Sequence, residues 1–297
     1  MGLFKKSEAV WSDFFEDSMK VILFRKKQLE TKDLSIVKNI SLGPCYSRVN
    51  WFCDESDLNI GLGGQDLYSS YKVYQKVSKN LKNLKNIIIF YGTFSQGLDN
   101  EYTCHFPATV SHHLYFGTPY RDLKKIFKFR KYEKLAKKEY ARLLKEIENF
   151  DDNYIPFMRE EKVDEEFAKE VALGHYKNNQ RTDKENKYLE KIIKDAKKSN
   201  INVWLVIPPY QQSYRKWLPS DKEIFKNLYS ISEKYSNVEI INLYNAEIFD
   251  ENNDFEDYEH LNINGAIKCT NFIKEKMAIK DKNAKTLVSV ERERERE

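Results

Sequence analysis

The sequence predicts a three-layer α/β/α sandwich of about five mostly parallel strands with a long, mainly helical insertion, and three observations carry that expectation. Five short apolar segments are separated by stretches in which apolar residues recur at helical spacing. The clearest of them, Ile87 to Tyr91 and Val203 to Ile207, are continuous rather than alternating, as in strands covered on both faces. Each gap between segments is also long enough for the crossover that consecutive parallel strands require.

Taken in order, Ser7 to Leu29 places Val10, Trp11, Phe14, Phe15, Met19 and Ile22 three or four residues apart, which predicts an amphipathic helix within residues 1–34. Ile36 to Leu42 reads as the first strand, ending at Gly43, and Leu58 to Ile60 as the second, ending in the run Gly61, Gly63, Gly64. Leu67 to Leu81 is helical in period, and Ile87 to Tyr91 is the third strand. A helix opened by Asp183 leads into the fourth strand, Val203 to Ile207, which Pro208 and Pro209 stop. Ser220 and Glu223 fit a capping box, Val238 to Leu243 is the fifth strand, and a last helix runs from about Ile263 to Met277. The α/β domain thus covers residues 35–94 and 183–280. Residues 281–297 read as a charged tail, with strict Glu/Arg alternation from Glu291 to Glu297.

Residues 95–182 are too long for an ordinary crossover and read as a basic helical insertion acting as a lid. Its stretch Arg121 to Phe150 holds 11 Lys and Arg against 5 acids, whereas the whole chain of 297 residues carries 50 against 46 for a net charge of +4. The basic excess is therefore local. It reads as a solvated helix face or as a surface for an acidic glycan, a phosphorylated acyl donor, or peripheral contact of residues 121–150 with the anionic inner membrane surface. Leu123, Ile126, Phe127, Leu143, Leu144 and Ile147 imply that it also packs on the body of the protein. No nucleic-acid motif accompanies the charge. No run approaches the roughly 20 apolar residues of a membrane span. The N-terminus lacks a signal-peptide core, and four cysteines without C-x-x-C spacing read as free thiols, so the expected location is cytoplasmic. Cys104, His105, His112 and His113 lack the spacing of zinc ligands, so no metal site is expected, and these histidines read as lining the mouth of the site.

Ligands of open α/β sheets bind beyond the carboxyl ends of the strands, and three segments there form a pattern. The first strand is followed by Gly43, Pro44, Cys45, Tyr46, Ser47; the second gives Asn59, Gly61, Gly64; the last is followed by Asp257, Tyr258, Glu259, His260 before a helix. Together they resemble the SGNH (GDSL) superfamily of esterases and acyltransferases, over about residues 36–94 and 200–277. The resemblance implies an SGNH/flavodoxin-like sheet. It places Cys45 where that family has its nucleophilic serine, with His260 as base and Asp257 orienting it. Asn59, Gly61 and Gly64 match the family's N-x-G-x-x-G segment, whose backbone stabilises the oxyanion. The family's G-x-N-D segment reads Gly92, Thr93, Phe94, Ser95 here, so its asparagine is replaced by Phe94, with Thr93 and Ser95 as substitute donors. Gly64 to Lys72 is similar to the text of the branch associated with bacterial surface polysaccharides.

A carboxylate three residues before a histidine at a loop-to-helix junction can hold Nδ1 and fix the tautomer. A thiol is a stronger nucleophile than a hydroxyl once ionised. Ser47, two residues on, is the rival nucleophile, and Glu259 reads as solvent-facing. The function this implies is acyl transfer through a Cys-His-Asp triad, with no bound cofactor, an acyl donor such as acetyl-coenzyme A, and a carbohydrate or glycan acceptor. Ester hydrolysis on the same fold, and a catalytically degenerate carbohydrate-binding or scaffold protein, are the alternatives.

Overall fold

The computed structural model describes residues 2–103, 106–150 and 164–294. Five parallel strands, β1 (Asn39–Leu42), β2 (Asp57–Asn59), β3 (Asn86–Phe90), β4 (Asn202–Ile207) and β5 (Val238–Asn242), form one sheet in the order β2-β1-β3-β4-β5. The helices are α1 (Gly2–Thr31), α2 (Cys45–Asn50), α3 (Leu67–Val77), α4 (Phe106–Phe116), α5 (Ile126–Glu146), α6 (Glu165–Arg181), α7 (Asn186–Lys198), α8 (Gln212–Arg215), α9 (Asp221–Ile224), α10 (Lys226–Glu233) and α11 (Ile263–Arg294). This is the three-layer α/β/α architecture expected. All five residues of β3, and all of β4 but its first, are buried, which is why these segments read as unbroken apolar runs.

Register at the amino edge of the sheet is pinned by a polar chain running across four strands. Asn39 donates to Asp57 (2.8 Å), Asn86 donates to Asn39 (2.9 Å), and the Trp204 indole donates to Asn86 (3.0 Å). Because the order reverses at β1, crossovers leave it in opposite directions, and the carboxyl ends of β1 and β3 open a crevice. The turn that lines it needs glycine. Gly43 has φ +125°, and a Cβ there would meet the Phe90 carbonyl at 2.6 Å, so β1 leaves the sheet directly against the backbone of β3.

Several boundaries differ from the sequence expectation: β1 begins at Asn39 and not Ile36, and α3 ends at Val77 and not Leu81. The helix opening at Ser220 breaks at Phe225 into α9 and α10, although the Ser220 hydroxyl does accept from the Glu223 N–H as a cap. The last helix continues past Met277 to Arg294, so residues 281–294 of the expected tail are helical; no Gly or Pro follows Met277 to stop it, and the run is rich in helix formers. The first helix begins before Ser7.

The insertion contains α4, α5 and α6, with residues 151–163 outside the described part. Helices α4 and α5 pack on α1 and on each other, whereas α6 packs on α8. Arg121, first of the basic run, is drawn inward: its guanidinium meets Asp66 (3.3 Å), Asp99 and Glu185 (2.8 Å) and lies over the Tyr68 ring.

Candidate active site

Cys45 is the first residue of α2, immediately after the Gly43–Pro44 turn, and is partly exposed. That turn is tied down from behind by Gln65. The Gln65 Oε1 accepts the Gly43 N–H (2.8 Å), while Nε2 donates to the Ile60 carbonyl (3.2 Å) and reaches His112 Nε2 (3.4 Å). His112 is fully buried on α4, and Nδ1 must donate because its partner is the Ala108 carbonyl at 2.6 Å. Burial pushes its pKa below the ordinary range. A neutral ring then offers Nε2 as acceptor for Gln65. His112 therefore braces the turn instead of lining a mouth, since the apolar packing of α4 turns it inward. His113 stacks on Tyr120 at 4.1 Å and is likewise not at the crevice. Cys104 and His105 lie outside the described residues, and among the described residues no cluster could hold a metal ion.

The loop before α11 delivers His260 and Asp257. The Asp257 carboxylate accepts the backbone N–H of Glu259 (2.8 Å) and of His260 (2.9 Å), which curls the D-x-x-H segment so that the two side chains meet. His260 Nδ1 is 3.0 Å from both Asp257 oxygens, and both side chains are buried. Burial disfavours the imidazolium, but the charges of Asp257, of Cys45 when ionised and of Glu259 outweigh it. The His260 pKa is held well above its usual value. His260 and Asp257 are thus paired in the loop before α11, while Cys45 opens α2 after the carboxyl end of β1.

The other expected residues have structural duties. Ser47 is buried, its hydroxyl 2.7 Å from Ser41 Oγ and 3.3 Å from Asn59 Oδ1, so it is a strut inside the fold and not a second nucleophile or substrate contact. Asn59 faces inward: Nδ2 donates to the carbonyls of Ser47 (2.8 Å) and Trp51 (3.3 Å) at the end of α2, and Oδ1 accepts the Gly61 N–H (2.9 Å). That N–H is consequently unavailable to an oxyanion. Thr93 is buried, with its N–H given to the Tyr210 hydroxyl (3.2 Å) and its own hydroxyl 2.6 Å from that of Tyr214. Ser95 closes its turn by accepting the Gly92 N–H (2.9 Å). Neither replaces the missing asparagine donor. Gly64 (φ +67°) is half-buried and its carbonyl accepts from Asn100. Of the expected oxyanion donors, the backbone N–H groups of Cys45, first residue of α2, and of Gly64 are left as candidates.

Glu259 is buried, not solvent-facing. Its carboxylate accepts the Tyr46 hydroxyl at 2.6 Å and lies 3.5 Å from His175 Nδ1. Its neighbours are buried with it: Tyr258 packs in the core, and the Asp257 and His260 side chains are buried against each other. Tyr46 stacks on His260 (5.7 Å) and on Phe94 (5.8 Å), Phe94 lies 4.5 Å from the His175 ring, and His175 Nδ1 is 2.9 Å from the Tyr214 hydroxyl. Burial holds the phenols of Tyr46, Tyr210 and Tyr214 far above their ordinary pKa, so they serve as neutral donors. Sequence reading missed Glu259, His175 and this aromatic shell. His175 sits mid-helix in the insertion with no local motif, and only Tyr46, next to Cys45, carried a positional hint.

No family model matches the chain, and no curated protein matches it significantly. Solved structures do. A protein from Streptococcus pneumonia, provisionally described as a platelet activating factor, is 11% identical over 92% of this chain and 98% of its own, with TM-score 0.46. A protein from Bacteroides fragilis, provisionally described as an acylhydrolase, is 12% identical over 86% of this chain and 93% of its own, with TM-score 0.43.

Proposed function

We propose that the protein is an acyltransferase that forms a thioester at Cys45 and passes the acyl group to a carbohydrate hydroxyl. The observation that carries this reading is the buried His260–Asp257 pair, together with a partly exposed Cys45 at the start of α2. Asp257 engages Nδ1, so proton exchange with Cys45 runs through Nε2. The Cys45 Sγ–H bond breaks and its proton goes to His260. The thiolate attacks the acyl carbonyl, and the Cys45 and Gly64 N–H groups face the developing oxyanion. Collapse breaks the bond to the leaving thiol or alcohol, which takes the proton from His260. A sugar hydroxyl then gives its proton to His260 and attacks the thioester, and the returning proton restores Cys45. An acetyl-coenzyme A-type donor needs no bound cofactor. Water in place of the sugar gives esterase activity from the same intermediate.

Intact-mass measurement after incubation with acetyl-coenzyme A or an aryl ester tests the intermediate. The expected result is an acyl adduct that is absent in Cys45→Ala and retained in Ser47→Ala. An adduct unaffected by Cys45→Ala would remove the nucleophile, and no adduct with any donor would leave the carbohydrate-binding reading. Product analysis with and without a sugar acceptor separates transfer from hydrolysis.

A further inference from the structure

Helix α5 has two unlike faces. Phe129, Ala136 and Leu143, seven residues apart, are buried against the body of the protein. Phe127 lies on the opposite side and is 81% exposed; Leu123, in the turn that leads into the helix, is 70% exposed. These are the two most exposed large apolar side chains among the described residues. Tyr102 stands beside them, its hydroxyl on Asp122 (3.0 Å) and the Lys125 ammonium over its ring.

Going along the helix from Phe127, the same face continues as Arg130, Lys131, Lys134 and Lys138, all exposed. Residues 123–138 contain eight Lys and Arg and one acid, Glu133, which turns inward to accept from the Tyr120 hydroxyl. Among the described residues, none of those four basic side chains has a carboxylate partner. The contrast with Arg142, at the far end, is sharp: it is shared among Glu16, Glu139 and Glu146. So the protein neutralises the basic charge near the end of α5 and leaves it open near the start.

We propose that the exposed face at the start of α5 docks on a bilayer containing anionic phospholipid, with Leu123, Phe127 and Tyr102 entering the headgroup layer and Arg130, Lys131, Lys134 and Lys138 lying over it. Two aromatic side chains and a leucine are an unfavourable solvent exposure for a folded protein alone, and they sit where the unpaired basic charge is densest. Protein–protein interfaces are depleted in lysine, which argues against a protein occupant. Basic helices with aromatic or leucine tips are suited to the membrane interface instead. The proposal stands independently of the acyl-transfer chemistry.

Flotation of the full-length protein with vesicles tests it. The protein should float with phosphatidylcholine vesicles that contain phosphatidylserine, remain behind with phosphatidylcholine alone, and be released by raised salt. Each basic residue at an anionic surface is worth roughly fivefold in binding, so Lys131→Ala with Lys134→Ala should weaken partition by roughly 25-fold. Phe127→Ser with Leu123→Ser should weaken it several-fold while leaving the circular dichroism spectrum unchanged, since both side chains are exposed. Failure to float with phosphatidylserine vesicles would overturn the proposal, as would wild-type partition in both double variants.

Discussion

Asn59 separates two ways of reading the segment after β2. As a strut it joins α2 to the turn at Gly61: it donates to the carbonyls of Ser47 (2.8 Å), Trp51 (3.3 Å) and, at longer range, Arg48 (3.5 Å), and accepts from the Gly61 N–H (2.9 Å) and the Ser47 hydroxyl (3.3 Å). All of these groups are buried. Asn59→Ala would leave three of them dry. An orphaned buried group costs about 1–3 kcal/mol, with carbonyls toward the lower end, so the sum is about 3–5 kcal/mol. For a chain of this size that lowers Tm by about 5–8 °C. Asn59→Asp is the sharper variant: it preserves shape and the acceptor for Gly61, yet turns an oxygen toward the Ser47 carbonyl and buries a charge, so it should fall at least as far as alanine. Thermal unfolding by circular dichroism gives Tm, and KM on an aryl ester gives binding. If Asn59→Ala melts within about 1 °C of the wild type while KM rises, Asn59 is a substrate contact and the strut argument is wrong.

Two further predictions follow from the same geometry. The His260 pKa is raised in the folded state, so the pair's stabilisation is complete below about pH 6.5, the unfolded value, and is lost as pH rises through the folded one. Asp257→Asn removes the main charge responsible and Glu259→Gln a lesser one, so the Tm gap to wild type should be widest near pH 6 and close toward alkaline pH, more for Asp257→Asn; a gap that widens with pH would contradict this. Gly61→Ala would put a Cβ 2.2 Å from Ser47 Oγ and 3.2 Å from the Arg48 nitrogen, pushing α2 and Cys45 outward at a cost of about 1–3 kcal/mol. Adding Ser47→Gly should recover part of the lost Tm, and no recovery would place the clash elsewhere.

The strands were legible because a parallel sheet buried on both faces writes itself as apolar runs, and Ile87 to Tyr91 could hardly be anything else. Asp257 and His260 were legible because their meeting depends on three residues of local chain. Glu259 was not: burial of a carboxylate depends on Tyr46, more than two hundred residues away, and nothing local distinguishes it from a solvated neighbour. Asn59 and Ser47 stand at motif positions, yet both face inward as struts, since a motif marks which residue types recur and not which way they face. Helix α5 shows the same limit from the other side. Its apolar residues imply that it packs, Phe127 among them, yet Phe127 is exposed, because Phe129, two positions on, takes the inward place.

Phe94 ties two departures from the expected pattern into one. An asparagine at that position would project a donor toward the nucleophile, as in the family the sequence resembles. Phenylalanine instead lies against the His175 ring at 4.5 Å and the Tyr46 ring at 5.8 Å. His175 belongs to the insertion, so position 94 has become part of what seats α6 against the sheet. What α6 brings is an imidazole 3.5 Å from the Glu259 carboxylate, which otherwise stands as a second buried acid beside Asp257. Two buried carboxylates next to one imidazole would overload the site with negative charge whenever Cys45 ionised. The Tyr46 hydroxyl donates to Glu259, and the His175 ring lies 3.5 Å from it, so this carboxylate is not buried without polar partners. On the proposed reading, the donor lost at position 94 is exchanged for an aromatic shell that holds Tyr46 against both His260 and Glu259.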